Sequence, residues 1–186
     1  MAPAETRRLF FALRPSAALQ DELVRRTRKL VRGGGGRPVG PEKLHLTLAF
    51  LGSLDEAAQA CVEAAADGMH GEPFRLVFDT LGHFPRPRVI WAGASVIPPA
   101  LSALVQELTR ALLPCGYRPE SRPFKAHVTL MRKVGHGPQA TALDPLVWDV
   151  RDFALVESVT LPEGAQYRVL RRWPLHGAGE DEPRTE

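Results

Sequence analysis

The chain has 186 residues, 44% of them hydrophobic and 24% charged. These totals describe a globular protein of one domain or two closely packed lobes, long enough to bury a core, and exclude a disordered or fibrous chain. No run approaches the roughly 20 apolar residues of a membrane span, and the opening run from Leu9 to Leu13 is too short for a signal-peptide core, so a cytoplasmic protein is expected.

The net charge of +3 is unevenly spread. The closing "GAGEDEPRTE" is acidic and lacks large apolar residues, so residues 177–186 are expected to be disordered. The remaining body is more basic, which fits an anionic ligand among other things.

Leu9-Phe10-Phe11-Ala12-Leu13 reads as a buried strand. Residues 16–32 turn helical, with Leu19, Leu23, Thr27, Leu30 and Val31 on one stripe. The "GGGG" at Gly33 to Gly36 ends that helix; no Gly-Lys-Ser/Thr follows it, so a flexible loop is expected rather than a phosphate cradle. Residues 44–51 form the next strand. Ser53 and Glu56 then have capping-box spacing for a helix running to about Asp67. Residues 74–79 and 89–92 are expected to pair as strands around "TLGHFPRPR", which places His83 in a surface loop. Residues 98–113 form another helix with Leu101, Leu104, Val105, Leu108 and Leu112 inward. "KAHVTLM" is a strand, and residues 153–161 and 167–173 close the chain as a pair around "PEGAQ". Cys61 and Cys115 have no metal or redox spacing and sit in apolar helical patterns, so buried free thiols are expected. Strands and helices without strict alternation predict an α+β fold of largely antiparallel sheets.

"HLTLAF" at His45 returns as "HVTLMR" at His127. Residues two apart on a strand share a face, so His45 with Thr47, and His127 with Thr129, point one way. Leu44, Leu46, Leu48 and Phe50, like Ala126, Val128 and Leu130, point to the core. Such a spacing is too long for a solenoid repeat and suits two related lobes. Two imidazoles across a groove can serve as acid and base on opposite sides of a phosphorus, with threonine hydroxyls donating to its non-bridging oxygens. No metal-ligand spacing and no nucleophile turn are present, so neither metal nor cofactor is expected. Phe84, Trp91 and Tyr167 are candidates to stack a base, although core packing is the commoner fate of such rings. Arg86, Arg88, Arg118 and Arg122 either line an RNA entrance or are ordinary surface charges. His70, His136 and His176 lie beside glycines and are expected to be solvated.

On these motifs the chain resembles the 2H phosphoesterase superfamily, and within it the bacterial RNA 2′,3′-cyclic phosphodiesterases, also called 2′-5′ RNA ligases. "RRLFFALRPS", "LHLTLAFLG", "FPRPRVIWAG", "FKAHVTLMR" and "YRVLRRWPL" carry the resemblance. It implies a single bilobal domain over residues 1–176, with helices on the outer faces of two sheets, a central groove and a pseudo-twofold axis. It implies metal-independent hydrolysis of RNA 2′,3′-cyclic phosphate ends to 2′-phosphomonoesters, with ATP-independent 2′-5′ ligation in reverse. His45 would be the proton donor and His127 the proton acceptor, with Thr47 and Thr129 on the phosphate and no metal. Arg132, Tyr167 and Phe84 would contact substrate. Strict alternation turns Arg132 away from His127 unless the strand bulges. The partners implied are RNA ends or nucleotides bearing the cyclic phosphate, with a monomer and no membrane. Two alternatives are an enzyme of the same superfamily acting on a small cyclic nucleotide, and a non-catalytic RNA-binding module.

Overall fold

A computed structural model describes residues 5–31, 35–162 and 164–177. The side chains of Leu30 and Val31, the glycines at 33 and 34, and the tail from 178 onward lie outside the described residues.

Among the described residues nine strands form two sheets. β1 (Arg7–Leu13), β3 (Leu46–Leu54), β8 (Asp152–Leu161) and β9 (Gly164–Pro174) make a four-stranded sheet in the order β3-β1-β8-β9. β2 (Arg37–Pro38), β4 (Phe74–Phe84), β5 (Val89–Gly93), β6 (His127–Arg132) and β7 (Thr141–Val150) make a five-stranded sheet in the order β2-β6-β5-β4-β7. All pairings are antiparallel. Without the short β2, the two orders match strand for strand. Each motif strand stands first, followed by three others, and β3 and β6 also touch across the boundary between sheets. The expected pseudo-twofold α+β architecture follows from this correspondence.

Among the described residues three α-helices cover the far faces: α1 (Ala17–Val31), α2 (Glu56–Asp67) and α3 (Pro99–Leu112). Ser16 Oγ accepts from Leu19 N and starts α1, and Arg28 and Lys29 in its last turn suit the helix dipole. α1 follows a strand of the first sheet but lies against β6 and β7 of the second, where Arg26 Nη1 donates to Pro145 O at 2.9 Å. α3 follows a strand of the second sheet and packs on β3 of the first. This exchange welds both lobes into one core, in which Leu13, Leu23, Leu46, Phe78, Leu101 and Phe153 are fully buried.

Several expectations are corrected. α2 is capped by Asp55, whose carboxylate accepts from Ala58 N at 2.8 Å, because β3 runs on through Ser53 and Leu54. Cys61 and Cys115 are not free thiols. They form a disulfide that ties α2 to the turn after α3, because α2 and α3 pack together and bring the two residues within 5.7 Å, Cα to Cα. β4 extends through "TLGHF", so His83 lies on a strand, packed against Gly137, with its Nε2 buried and unpartnered among the described residues. β7 matches no expected element. Asp144 and Pro145 interrupt its alternation, which an edge strand tolerates.

Candidate active site

Each histidine stands where its motif strand begins. His45 Nδ1 donates to Lys43 O at 2.7 Å, and His127 Nδ1 donates to Lys125 O at 2.7 Å. A carbonyl can only accept, so it fixes the proton on Nδ1 and leaves Nε2 bare in the neutral ring. Neither Nε2 has a protein partner among the described residues. Two residues on, Thr47 and Thr129 share the histidines' face and are half-buried.

Beyond the threonines both strands bulge at the same place. Ala12 pairs with Thr47 but Phe11 with Ala49, so Leu48 is the extra residue. Trp91 pairs with Thr129 but Ile90 with Met131, so Leu130 is extra. In both motifs two successive buried residues follow the threonine and an exposed one comes next: Leu48, Ala49, Phe50 and Leu130, Met131, Arg132. The bulge turns Arg132 to the histidine side, which resolves its expected conflict with alternation. The same inversion overturns the expectation that Phe50 is core. It is 43% exposed, with the Arg8 guanidinium over its ring at 4.8 Å.

Aromatic rings wall both histidines. Phe10 and Tyr167 pack on His45 at centroid distances of 4.9 and 4.8 Å, Tyr167 edge-on. Phe84 and Trp91 pack edge-on against His127 at 5.2 and 6.3 Å. Trp91 is a groove wall rather than core: its indole lies over Gly82 and Gly93, where a Cβ would run into the ring. Tyr167 and Phe84, proposed from the sequence to contact substrate, lie beside the histidines, Phe84 at the end of β4 rather than in a loop. Arg86, Arg118 and Arg122 are exposed, and Arg88 Nε donates to Val134 O. His136 and His176 are exposed as expected, and so is His70.

Burial lowers the His45 pKa to about 4, opposed by the Lys43 carbonyl and reinforced by the nearby charges of Arg14, Arg132 and His127. Burial also lowers that of His127, opposed by the Lys125 carbonyl and reinforced by Lys125 and Arg132. Arg132 therefore acts on both imidazoles, and His127 acts on His45. Arg14 was missed in the sequence. It is half-buried beside His45, and burial first, then Arg172, lowers its pKa. Its only legible signal was a charged residue closing an apolar strand. Two neutral imidazoles with bare Nε2 atoms and a set of hydroxyl and guanidinium donors around them can exchange protons with, and hold, an anionic phosphoryl group. Among the described residues no three His, Cys, Asp or Glu side chains gather as metal ligands, and no helix is long and apolar enough to cross a membrane.

Two matched sheets, each giving a His-x-Thr strand to one groove, define the bilobal α+β fold of the two-histidine phosphoesterases. The family model described as the 2′-5′ RNA ligase superfamily matches residues 15–161. The chain belongs to that superfamily. It is 31% identical over 176 residues to the RNA 2′,3′-cyclic phosphodiesterase of Escherichia coli, covering 92% of this chain and 98% of the relative. It is 34% identical over 183 residues to the protein of that name from Thermus thermophilus, covering 91% of each. Among solved structures, Escherichia coli LigT complexed with 3′-AMP matches with a TM-score of 0.86 at 30% identity, over 93% of this chain and 100% of that one. TT0787 of Thermus thermophilus matches at 0.78 and 31%, over 91% and 98%.

Proposed function

We propose that this protein hydrolyses the 2′,3′-cyclic phosphate at RNA ends to a 2′-phosphomonoester, without a metal ion. The observation that carries this is the mirrored pair of imidazoles, each anchored through Nδ1 and each free at Nε2, facing one groove. The relatives named RNA 2′,3′-cyclic phosphodiesterase support the substrate.

In the reaction, His127 Nε2 takes a proton from water as its oxygen bonds to phosphorus. The bond from phosphorus to O3′ breaks, and protonated His45 gives its proton to O3′. Thr47, Thr129 and Arg132 donate to the non-bridging oxygens as charge builds on them. His45 is neutral at pH 7 in the free protein, so its acid role depends on the substrate. A bound phosphate anion favours the imidazolium and offsets the burial and the cations that hold its pKa down. With a 5′-hydroxyl in place of water as the nucleophile, the same ring opening forms a 2′-5′ linkage without ATP. Both histidines come from one chain, which supports a monomer as the working unit. A binding module alone has no use for two anchored titrating groups.

The test is chromatographic assay of an RNA ending in a 2′,3′-cyclic phosphate, in EDTA, with His45→Ala and His127→Ala alongside. A 2′-phosphate product lost in both variants is expected. Turnover that survives both substitutions, or none by the unaltered protein, would sink the proposal.

A further inference from the structure

The two lobes match in topology but differ at the positions beside their histidines. In the second lobe Gly93 pairs with His127, and Trp91 pairs with Thr129. In the first lobe Ala12 pairs with Thr47 and Leu13 with Leu46, so the next position along the ladder sets Arg14 opposite His45. Phe10 and Ala12 face the groove while Phe11 and Leu13 face the main core, and alternation puts Arg14 on the groove side with them. One wall therefore carries an indole beside a bare glycine, and the other a methyl group beside a guanidinium.

Among the described residues no carboxylate forms an ion pair with that guanidinium, and the nearby charge of Glu42 only partly offsets the effects of burial and Arg172. Arg14 Nη2 donates to the Glu42 carbonyl at 2.6 Å, while Nη1 is buried with no acceptor among the described residues. Its neighbours on β9 are satisfied differently: Arg168 meets Glu157, Arg171 meets Asp67 and Arg172 meets Asp152. An unmet donor on a half-buried cation is costly, and an arriving anion removes the cost. The position is lateral to the reacting phosphorus. A row of paired residues runs Thr47, Ala12, Ala154, Arg172 across the sheet, about 14 Å over three strand steps. Arg14 lies on the side of His45 toward Arg172, away from β6. The scissile phosphate already has both threonines and Arg132.

We propose that Arg14 binds a second phosphate, the 5′-phosphate of the nucleotide that carries the cyclic end. The site then selects RNA ends and 5′-phosphorylated nucleotides over a 5′-hydroxyl nucleoside 2′,3′-cyclic phosphate. This rests on the activity proposed above and names its substrate class.

The experiment compares kcat/KM for adenosine 2′,3′-cyclic phosphate with that for the same nucleotide carrying a 5′-phosphate, using the unaltered protein, Arg14→Gln and Arg14→Lys. The unaltered protein is expected to prefer the 5′-phosphorylated substrate by about tenfold or more, the scale of one charge-assisted hydrogen bond. Arg14→Gln collapses that ratio to within about threefold of unity, and Arg14→Lys keeps part of it. A ratio is blind to losses shared by both substrates, including any change in folding or in His45. Turnover of both substrates without preference, or an intact preference in Arg14→Gln, overturns the role of Arg14 while leaving the activity standing. Turnover of neither by the unaltered protein strikes the activity itself, and this inference with it.

Discussion

Replacing His45 with Gln should change how stability responds to acid. The imidazole sits behind Phe10 and Tyr167 and is held neutral, with its pKa lowered from 6.5 to about 4, chiefly by burial. In the unfolded chain it titrates near 6.5. As pH falls through 6.5 the unfolded chain takes up a proton that the folded protein does not, and the folded protein takes it up only near pH 4. The penalty is therefore absent at pH 7, grows from 6.5 downward, and is complete below about pH 4. At about 1.4 kcal/mol per unit, the gap corresponds to about 3 kcal/mol. Gln fills much of the same volume and does not titrate. Urea denaturation of both proteins at pH 7, 5.5 and 4 should show the variant gaining on the unaltered protein by up to about 3 kcal/mol between pH 7 and 4. Whatever packing the substitution loses is common to all three pH values and cancels. Parallel pH dependences, or an NMR titration of His45 near 6.5, would refute the buried neutral imidazole.

Other expectations follow from the same geometry. The acid limb of kcat/KM should lie at about pH 4 and its alkaline limb below 6.5, while both limbs of kcat shift to higher pH because bound phosphate favours the charged imidazoles; coincident profiles contradict this. Phe50→Ser should cost under about 1 kcal/mol in denaturant midpoint, and Leu48→Ala about 2–5, because the bulge exposes Phe50 and buries Leu48; a large loss at Phe50 would mean an unbroken strand. Gly82→Val should displace the Trp91 indole and raise KM more than it lowers thermal stability, as read by turnover and a melting curve. Replacing both Cys61 and Cys115 with Ser should lower unfolding free energy by about 2–4 kcal/mol, since the bridge closes a long loop; an unchanged midpoint, with two thiols titrating in the native protein, would show that the bond is not made.

The groove's chemistry was legible because it is local. Two-residue alternation binds His45 to Thr47 and His127 to Thr129 on one face whatever the rest of the chain does, and the repetition of the pattern announced two lobes. α1 and α3 were equally legible from their apolar stripes, since periodicity needs no knowledge of partners. Only the tertiary structure decided what depends on pairing. A bulge is a property of two strands, so no inspection of "HLTLAF" alone could turn Phe50 outward or Arg132 inward. The Cys61–Cys115 bridge needed α2 packed on α3, residues far apart in the chain. Arg14 became visible only when antiparallel pairing set the end of β1 beside His45; Trp91 was a candidate in the sequence, but only its packing over two glycines and against His127 placed it beside the groove rather than in the core. The sequence determined which groups carry the chemistry. Register and packing, which are long-range and cooperative, determined which neighbours tune them.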